Sequence, residues 1–177
     1  MIRDNIFLIG FMGAGKSTVA RALAERLHCP LVEMDQQIVK EQGMTINEIF
    51  DKYGEDRFRE IESQLILDLG QGEAAVISCG GGVVVRPQNT EYMKKSGRIV
   101  YLQASPRTVY ERVKDSSDRP ILKGHMNVEY IAQLMEKRRA LYEAAAELTI
   151  VTDKKMADEI AGEILNRLEE TNEAELG

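Results

Sequence analysis

The segment Gly10-Phe11-Met12-Gly13-Ala14-Gly15-Lys16-Ser17 satisfies the pattern Gly-x-x-x-x-Gly-Lys-Ser/Thr at every fixed position. An apolar run, Ile6–Ile9, precedes it. The stretch Lys16–Leu27 follows and puts Val19, Ala20, Leu23 and Leu27 on one helical face. Strand, glycine turn and helix in that order make a cradle for phosphate. The glycines let the backbone curl so that successive N–H groups converge on an anion. The helix adds the positive end of its dipole. The pattern assigns Gly13, Ala14, Gly15, Lys16, Ser17 and Thr18 to a nucleoside triphosphate. Lys16 is expected on the β- and γ-phosphates and Ser17 on Mg²⁺.

Other short apolar runs follow: Leu31–Val32, Val76–Ser78, Ile99–Leu102 and Leu148–Val151. Each reads as a buried strand. Helical patterns lie between them. Thr45-Ile-Asn-Glu48 is a capping box opening a helix to Tyr53. Phe58, Ile61, Leu65 and Leu69 form one apolar stripe, and Ser105-Pro106 starts another helix. A long helix follows through Ile131, Leu134, Met135, Arg138 and Leu141, then a last one through Ile160, Ile164, Leu165 and Leu168. Alternating strands and helices predict an α/β three-layer sandwich, a parallel sheet with helices on both faces. The 177 residues suit one domain, 1–177. Gln36–Glu62 and Lys114–Asn127 are expected as mobile insertions, and Glu169–Gly177 as a fraying end.

Twenty-nine acidic against 23 basic side chains give a net charge of −6. There is no basic excess to track a nucleic-acid backbone, so anion binding must rest on a few local Arg and Lys. Cys29 and Cys79 are too few for a disulfide scaffold, and no Cys/His cluster suggests zinc. No apolar stretch approaches the roughly 20 residues of a membrane span, and the first residues do not read as a signal peptide. The expectation is a soluble protein of a reducing compartment, the cytoplasm.

Two classes of phosphate-binding protein compete. A guanine-nucleotide switch would carry Asn-Lys-x-Asp, which is absent; its Asp-x-x-Gly occurs only at Asp51–Gly54, inside a helical pattern. A large ATPase would carry an apolar strand ending in Asp; here the third strand ends in Ser78-Cys79-Gly80-Gly81-Gly82. A small-molecule kinase needs an acceptor site, a base and a lid. Glu33 and Asp35 follow the second strand, at the sheet edge where ligands bind in open α/β folds. Alternation would send both side chains to one side, where a carboxylate can take a hydroxyl proton. A helix N-cap is the other reading of Asp35. Gly80-Gly81-Gly82 suits close approach of backbone to ligand, or a plain turn. Arg138 continues an apolar stripe, so its inward charge asks for an anion. Arg57, Arg59 and Arg139 are further candidates, and Arg119 in the polar loop could close over phosphates.

Together these motifs resemble the shikimate kinase family from the first strand to the last helix. The combination is specific: an acidic pair after strand two, Gly54-Glu55-Asp56-Arg57-Phe58-Arg59 continuing to Glu62, three glycines after strand three, Arg119-Pro120-Ile121-Leu122, and Arg138 four residues before Tyr142. The resemblance implies a P-loop kinase with a central five-stranded parallel sheet, a substrate-binding helical segment at about 36–62 and a lid at about 114–127. It implies transfer of the γ-phosphoryl of ATP to the 3-hydroxyl of shikimate, with Mg²⁺, by a monomer. Lys16, Asp35 and Arg119 would be catalytic, with Asp35 the base. Arg59 and Arg138 would bind the shikimate carboxylate, braced by Glu62. Asp35, Gly80, Gly81 and Gly82 would meet its hydroxyls, and Arg112 and Arg119 would bind ATP. The sequence departs from the family's Asp-x-Asp with Glu33-Met34-Asp35; Glu33 would reach Mg²⁺ through water. Ala140 stands where the family often has proline. The alternatives are a gluconate- or nucleotide-type kinase and a non-catalytic nucleotide-binding module.

Overall fold

The computed structural model describes residues 2–115, 124 and 126–177. Residues 116–123 and 125 of the expected lid, Arg119 among them, lie outside these.

Five strands, β1 (Asn5–Ile9), β2 (Leu31–Glu33), β3 (Val76–Ser78), β4 (Gly97–Gln103) and β5 (Leu148–Val151), form one sheet in the order β2-β3-β1-β4-β5. Every pairing is parallel. All five residues of β1 are buried, which requires cover on both faces. The helices are α1 (Lys16–Leu27), α2 (Met34–Gln42), α3 (Ile46–Tyr53), α4 (Glu55–Gly70), α5 (Pro87–Ser96), α6 (Pro106–Val113), α7 (Val128–Ala145) and α8 (Ala157–Leu176). α1 packs on α8, α4 on α5, and α6 on α7. The register aligns Leu8 with Ser78 and with Val100, and Leu102 with Ile150. The carboxyl ends of the strands therefore open on one edge, and the chain order reverses beside β1. The crevice in which open α/β sheets bind ligands lies there.

Where the structure differs from the sequence reading, the reasons are local. Asp35 is not extended; it is the second residue of α2, whose N-cap is Glu33 without a side-chain cap bond. The N-cap reading of Asp35 fails as well. Gln36–Glu62 is no mere insertion, because Ile38, Ile49, Phe58 and Ile61 are buried in the core. α5 was not expected; its apolar residues are too few to show a stripe, but Pro87 sits in its first turn and buried Met93 anchors it. α8 runs on through the polar tail to Leu176. Arg98 on β4 bonds both oxygens of Glu147 and reaches Asn172, which ties that tail down.

α3 starts where the box predicts. The Glu48 N–H donates to Thr45 Oγ1 at 3.1 Å, and the Thr45 N–H donates to Glu48 Oε2 at 3.0 Å. Two orphan donors are satisfied reciprocally. Thr45→Ala is expected to cost about 1 kcal/mol and to lower the melting temperature by about 3 °C. A thermal melt checks this; an unchanged midpoint would mean that packing alone sets the start of α3.

Candidate active site

The turn between β1 and α1 has the curled backbone that phosphate needs. Gly13 and Gly15 sit at φ 76° and 93°, where L side chains are strained. The Lys16 Nζ donates to the Gly10 carbonyl at 2.7 Å and to the Phe11 carbonyl at 3.0 Å, so the ammonium is folded over its own loop. Thr152, fully buried after β5, donates its hydroxyl to the Ala14 carbonyl at 3.2 Å and pins the loop from the far side. Arg112 on α6 donates to the Gly13 carbonyl at 2.9 Å. The base of α6 is fixed in turn by Asp153, whose carboxylate accepts from the Ser105 N–H and hydroxyl and from the Thr108 hydroxyl. Burial pushes the Asp153 carboxyl up, but these bonds outweigh it and hold it below the usual range.

A cleft of about 390 Å³ lies over the loop. Gly15, Lys16, Ser17, Thr18, Glu33 and Arg112 line it. The Ser17 hydroxyl donates to Glu33 Oε2 at 2.9 Å. The longer acid at 33 thus reaches the serine directly. A hydroxyl and a carboxylate side by side are hard oxygen donors, the set Mg²⁺ takes. Cys79 also borders this cleft, but burial pushes its thiol far above the usual value, so it stays protonated and inert.

A second cleft of about 560 Å³ adjoins the first. Val39, Ile46, Phe50 and Phe58 form its apolar wall, and Arg59, Glu62 and Arg138 its charged end. Arg59 is only 5% exposed. Its guanidinium donates to Glu62 at 3.0 Å and to Glu55 at 3.3 Å, while its Nε has no partner among the described residues. It lies against Gly82, where any Cβ would overlap the guanidinium. Arg138 Nη1 donates to the Gly81 carbonyl at 3.3 Å. The two clefts share Asp35, Gly80 and Gly81. At that boundary Asp35 Oδ1 and Glu62 Oε2 are both buried without a partner among the described residues. They stand 3.0 and 3.1 Å from where a Gly80 Cβ would lie. Acceptor oxygens without donors, beside a phosphate loop, suit a ligand rich in hydroxyls.

The family model for shikimate kinase matches residues 12–169. The chain belongs to the shikimate kinase family. It is 41% identical over 169 residues to the shikimate kinase of Dehalococcoides mccartyi, covering 96% of each chain. Identity to that of a Sulfurihydrogenibium strain is 43% over 164 residues, covering 93% of this chain and 97% of the other. The Acinetobacter baumannii shikimate kinase, solved in complex with shikimate, superposes with a TM-score of 0.91 at 34% identity, over 95% of this chain and 94% of that one. A gluconokinase from Sinorhizobium meliloti matches at a TM-score of 0.59 and 20% identity, which shows a shared fold alone.

Set against that family, the structure gathers most of the residues the sequence singled out. Gly13, Gly15, Lys16, Ser17, Thr18, Glu33 and Arg112 line the phosphate cleft, and Arg59, Gly82 and Arg138 the other. Ala14 is buried beneath the loop. Arg57 and Arg139 are not brought in; they pair with Glu60 and Glu136 on the surface. Arg119 lies outside the described residues. Thr152 and the clamp made by Asp153 leave no local pattern in the sequence, because they act across more than 40 positions of chain. Asn47, whose buried Oδ1 has no partner among the described residues, lies on the wall of the larger cleft, at a helix start that gives it no signature.

Burial pushes the Glu62 carboxyl up to about 7, with Arg59 lowering it and the nearby Asp35 charge raising it. Its usual value is 4.5. Between those values the folded chain holds a proton that the unfolded chain has released. Stability therefore falls as pH rises through that window, by up to about 3 kcal/mol. Glu62→Gln has no such proton. Urea midpoints at about pH 5 and about pH 8 are expected to drop more for wild type than for E62Q; parallel drops would contradict the raised value.

Proposed function

We propose that the chain transfers the γ-phosphoryl of ATP to the 3-hydroxyl of shikimate across the boundary at Asp35, Gly80 and Gly81. The observation that carries this is the shared edge of the two clefts. One holds the phosphate loop and the other holds two arginines, and the same carboxylate serves both. Shikimate is a small monoanion with three hydroxyls. Arg59 and Arg138 hold its carboxylate, and the apolar wall of Phe50 and Phe58 takes the ring. Asp35 accepts from the hydroxyls, orients the 3-hydroxyl in line and takes its proton.

On the nucleotide side, Lys16 leaves its own loop carbonyls for the β- and γ-phosphates, and the glycine N–H groups bind the remaining oxygens. Ser17 and Glu33 would hold Mg²⁺, which when bound would supply positive charge beside the transferring group. Arg112 packs on the adenine. Arg119, outside the described residues, would neutralise charge on the phosphates, and the segment at about 114–127 would serve as the lid. The segment at about 36–62 forms the acceptor's wall. Among the described residues no helix is long and apolar enough to cross a membrane, and the free thiols Cys29 and Cys79 fit the cytoplasm.

The test is ADP release with MgATP and shikimate, with gluconate and a nucleoside monophosphate run beside it. Shikimate alone should stimulate strongly. Asp35→Asn should lose about a hundredfold or more in kcat, the contribution of a general base, because an amide cannot take the proton. Stimulation by gluconate or the nucleotide instead would overturn the acceptor. An unchanged kcat in D35N would remove Asp35 as the base.

A further inference from the structure

Tyr142 marks the motif that also holds Arg138, yet nothing in the scheme above uses it. It is the largest fully buried side chain, 1% exposed. Four residues apart on α7, Arg138 and Tyr142 share a face and converge on one atom. The Tyr142 hydroxyl donates to the Gly81 carbonyl, and Arg138 Nη1 donates to the same oxygen at 3.3 Å. The phenol is held from behind: its ring stacks on Tyr101 of β4, centroids 5.0 Å apart. Burial pushes its pKa up to about 12 against the lowering charge of Arg138, so the hydroxyl remains a donor throughout the physiological range. Gly81 itself borders both clefts and packs on the phosphate loop; a Cβ on it would lie 3.3 Å from the Met12 nitrogen.

The two arginines of the acceptor cleft are held differently. Arg59 is locked by Glu62 and Glu55. Arg138 donates to a backbone carbonyl by a long bond, also bonds the Tyr142 hydroxyl, and lies over the Phe11 ring at 5.9 Å. When a carboxylate draws Nη1 away, that carbonyl loses a donor. A carbonyl left without a donor on the protein side costs as much as a lost hydrogen bond. A second donor already in place removes that cost.

We propose that Tyr142 is a positioning residue that keeps the Gly81 carbonyl satisfied and so frees Arg138 to exchange it for the acceptor's carboxylate. This rests on the reading of Arg138 as a ligand of that carboxylate. Without the hydroxyl, Arg138 is the carbonyl's remaining side-chain donor, and acceptor and carbonyl compete for its Nη1. The effect falls on the acceptor and not on the nucleotide, and it exists only while Arg138 is present.

The test is calorimetric binding of shikimate to wild type, Tyr142→Phe, Arg138→Ala and the double variant, with the KM for ATP measured alongside. Y142F should weaken shikimate about tenfold, the size of one hydrogen bond, with a much smaller change in the KM for ATP. R138A should weaken it by roughly thirtyfold or more, the cost of truncating one partner of a charged pair. In the R138A background, Y142F should add less than about twofold, since coupled residues are not additive. Equal losses for shikimate and ATP in Y142F, or additive losses in the double variant, would show a structural role and overturn the proposal. An R138A with unchanged shikimate affinity would overturn the carboxylate reading first, and this one with it. If Y142F does not fold, the wild type still decides. A low-field Tyr142 hydroxyl proton should persist in NMR spectra with and without shikimate; its loss on binding would contradict the role.

Discussion

A guanidinium buried beside a buried carboxylate sets the terms for the rest of this molecule. Arg59 and Glu62 sit one helical turn apart on α4, 5% and 0% exposed. Such a pair is a poor source of stability, because desolvating two charges offsets most of their attraction. Here the pairing is also incomplete: Arg59 Nε and Glu62 Oε2 have no partners among the described residues. The price is understandable if the geometry exists for a third, anionic or hydroxylated group. α4 must then be held rigidly, which its packing on α2, α3 and α5 does, and residue 82 must lack a side chain.

The same logic accounts for an acidic protein that binds anions. Positive charge is gathered locally at the carboxyl edge of the sheet: Lys16 on one side, Arg59 and Arg138 on the other. Between them stands Asp35, brought close to Glu62 by the Gly80 backbone. The nearby Asp35 charge adds to the burial that raises the Glu62 carboxyl. Thr152 and Asp153, directly after the last strand, fix the phosphate loop and α6 from behind. The site is thus assembled from the ends of β1, β2, β3 and β5, and only the parallel sheet brings those ends together.

Much of this was legible in the chain. The phosphate loop is a local device, and its pattern specifies strand, turn and helix together; α1 spans the residues its apolar face marks. The capping box at Thr45 and the cap at Ser105 are equally local. What the sequence concealed depends on distance. Asp35 departs from strand alternation because the chain turns into α2 directly after Glu33. The polar tail looked frayed because its anchor, Arg98, lies 74 positions from Asn172. Tyr142 read as part of a motif, but its work on Gly81 needs the packing of α7 against the loop after β3. The pairing of Arg59 with Glu62 was visible as spacing; their burial was not.

The central claim is that the buried arginine cleft exists for a carboxylate. The most direct measurement compares kcat/KM for shikimate and for its carboxamide in wild type and in Arg59→Ala. The account predicts a loss of roughly a hundredfold for the carboxamide in wild type, as expected when a charged partner is removed from a desolvated arginine. It predicts that the gap narrows to about threefold or less in R59A, because the two changes remove the same interaction. Equal use of acid and amide by the wild type, or an undiminished gap in R59A, would contradict it.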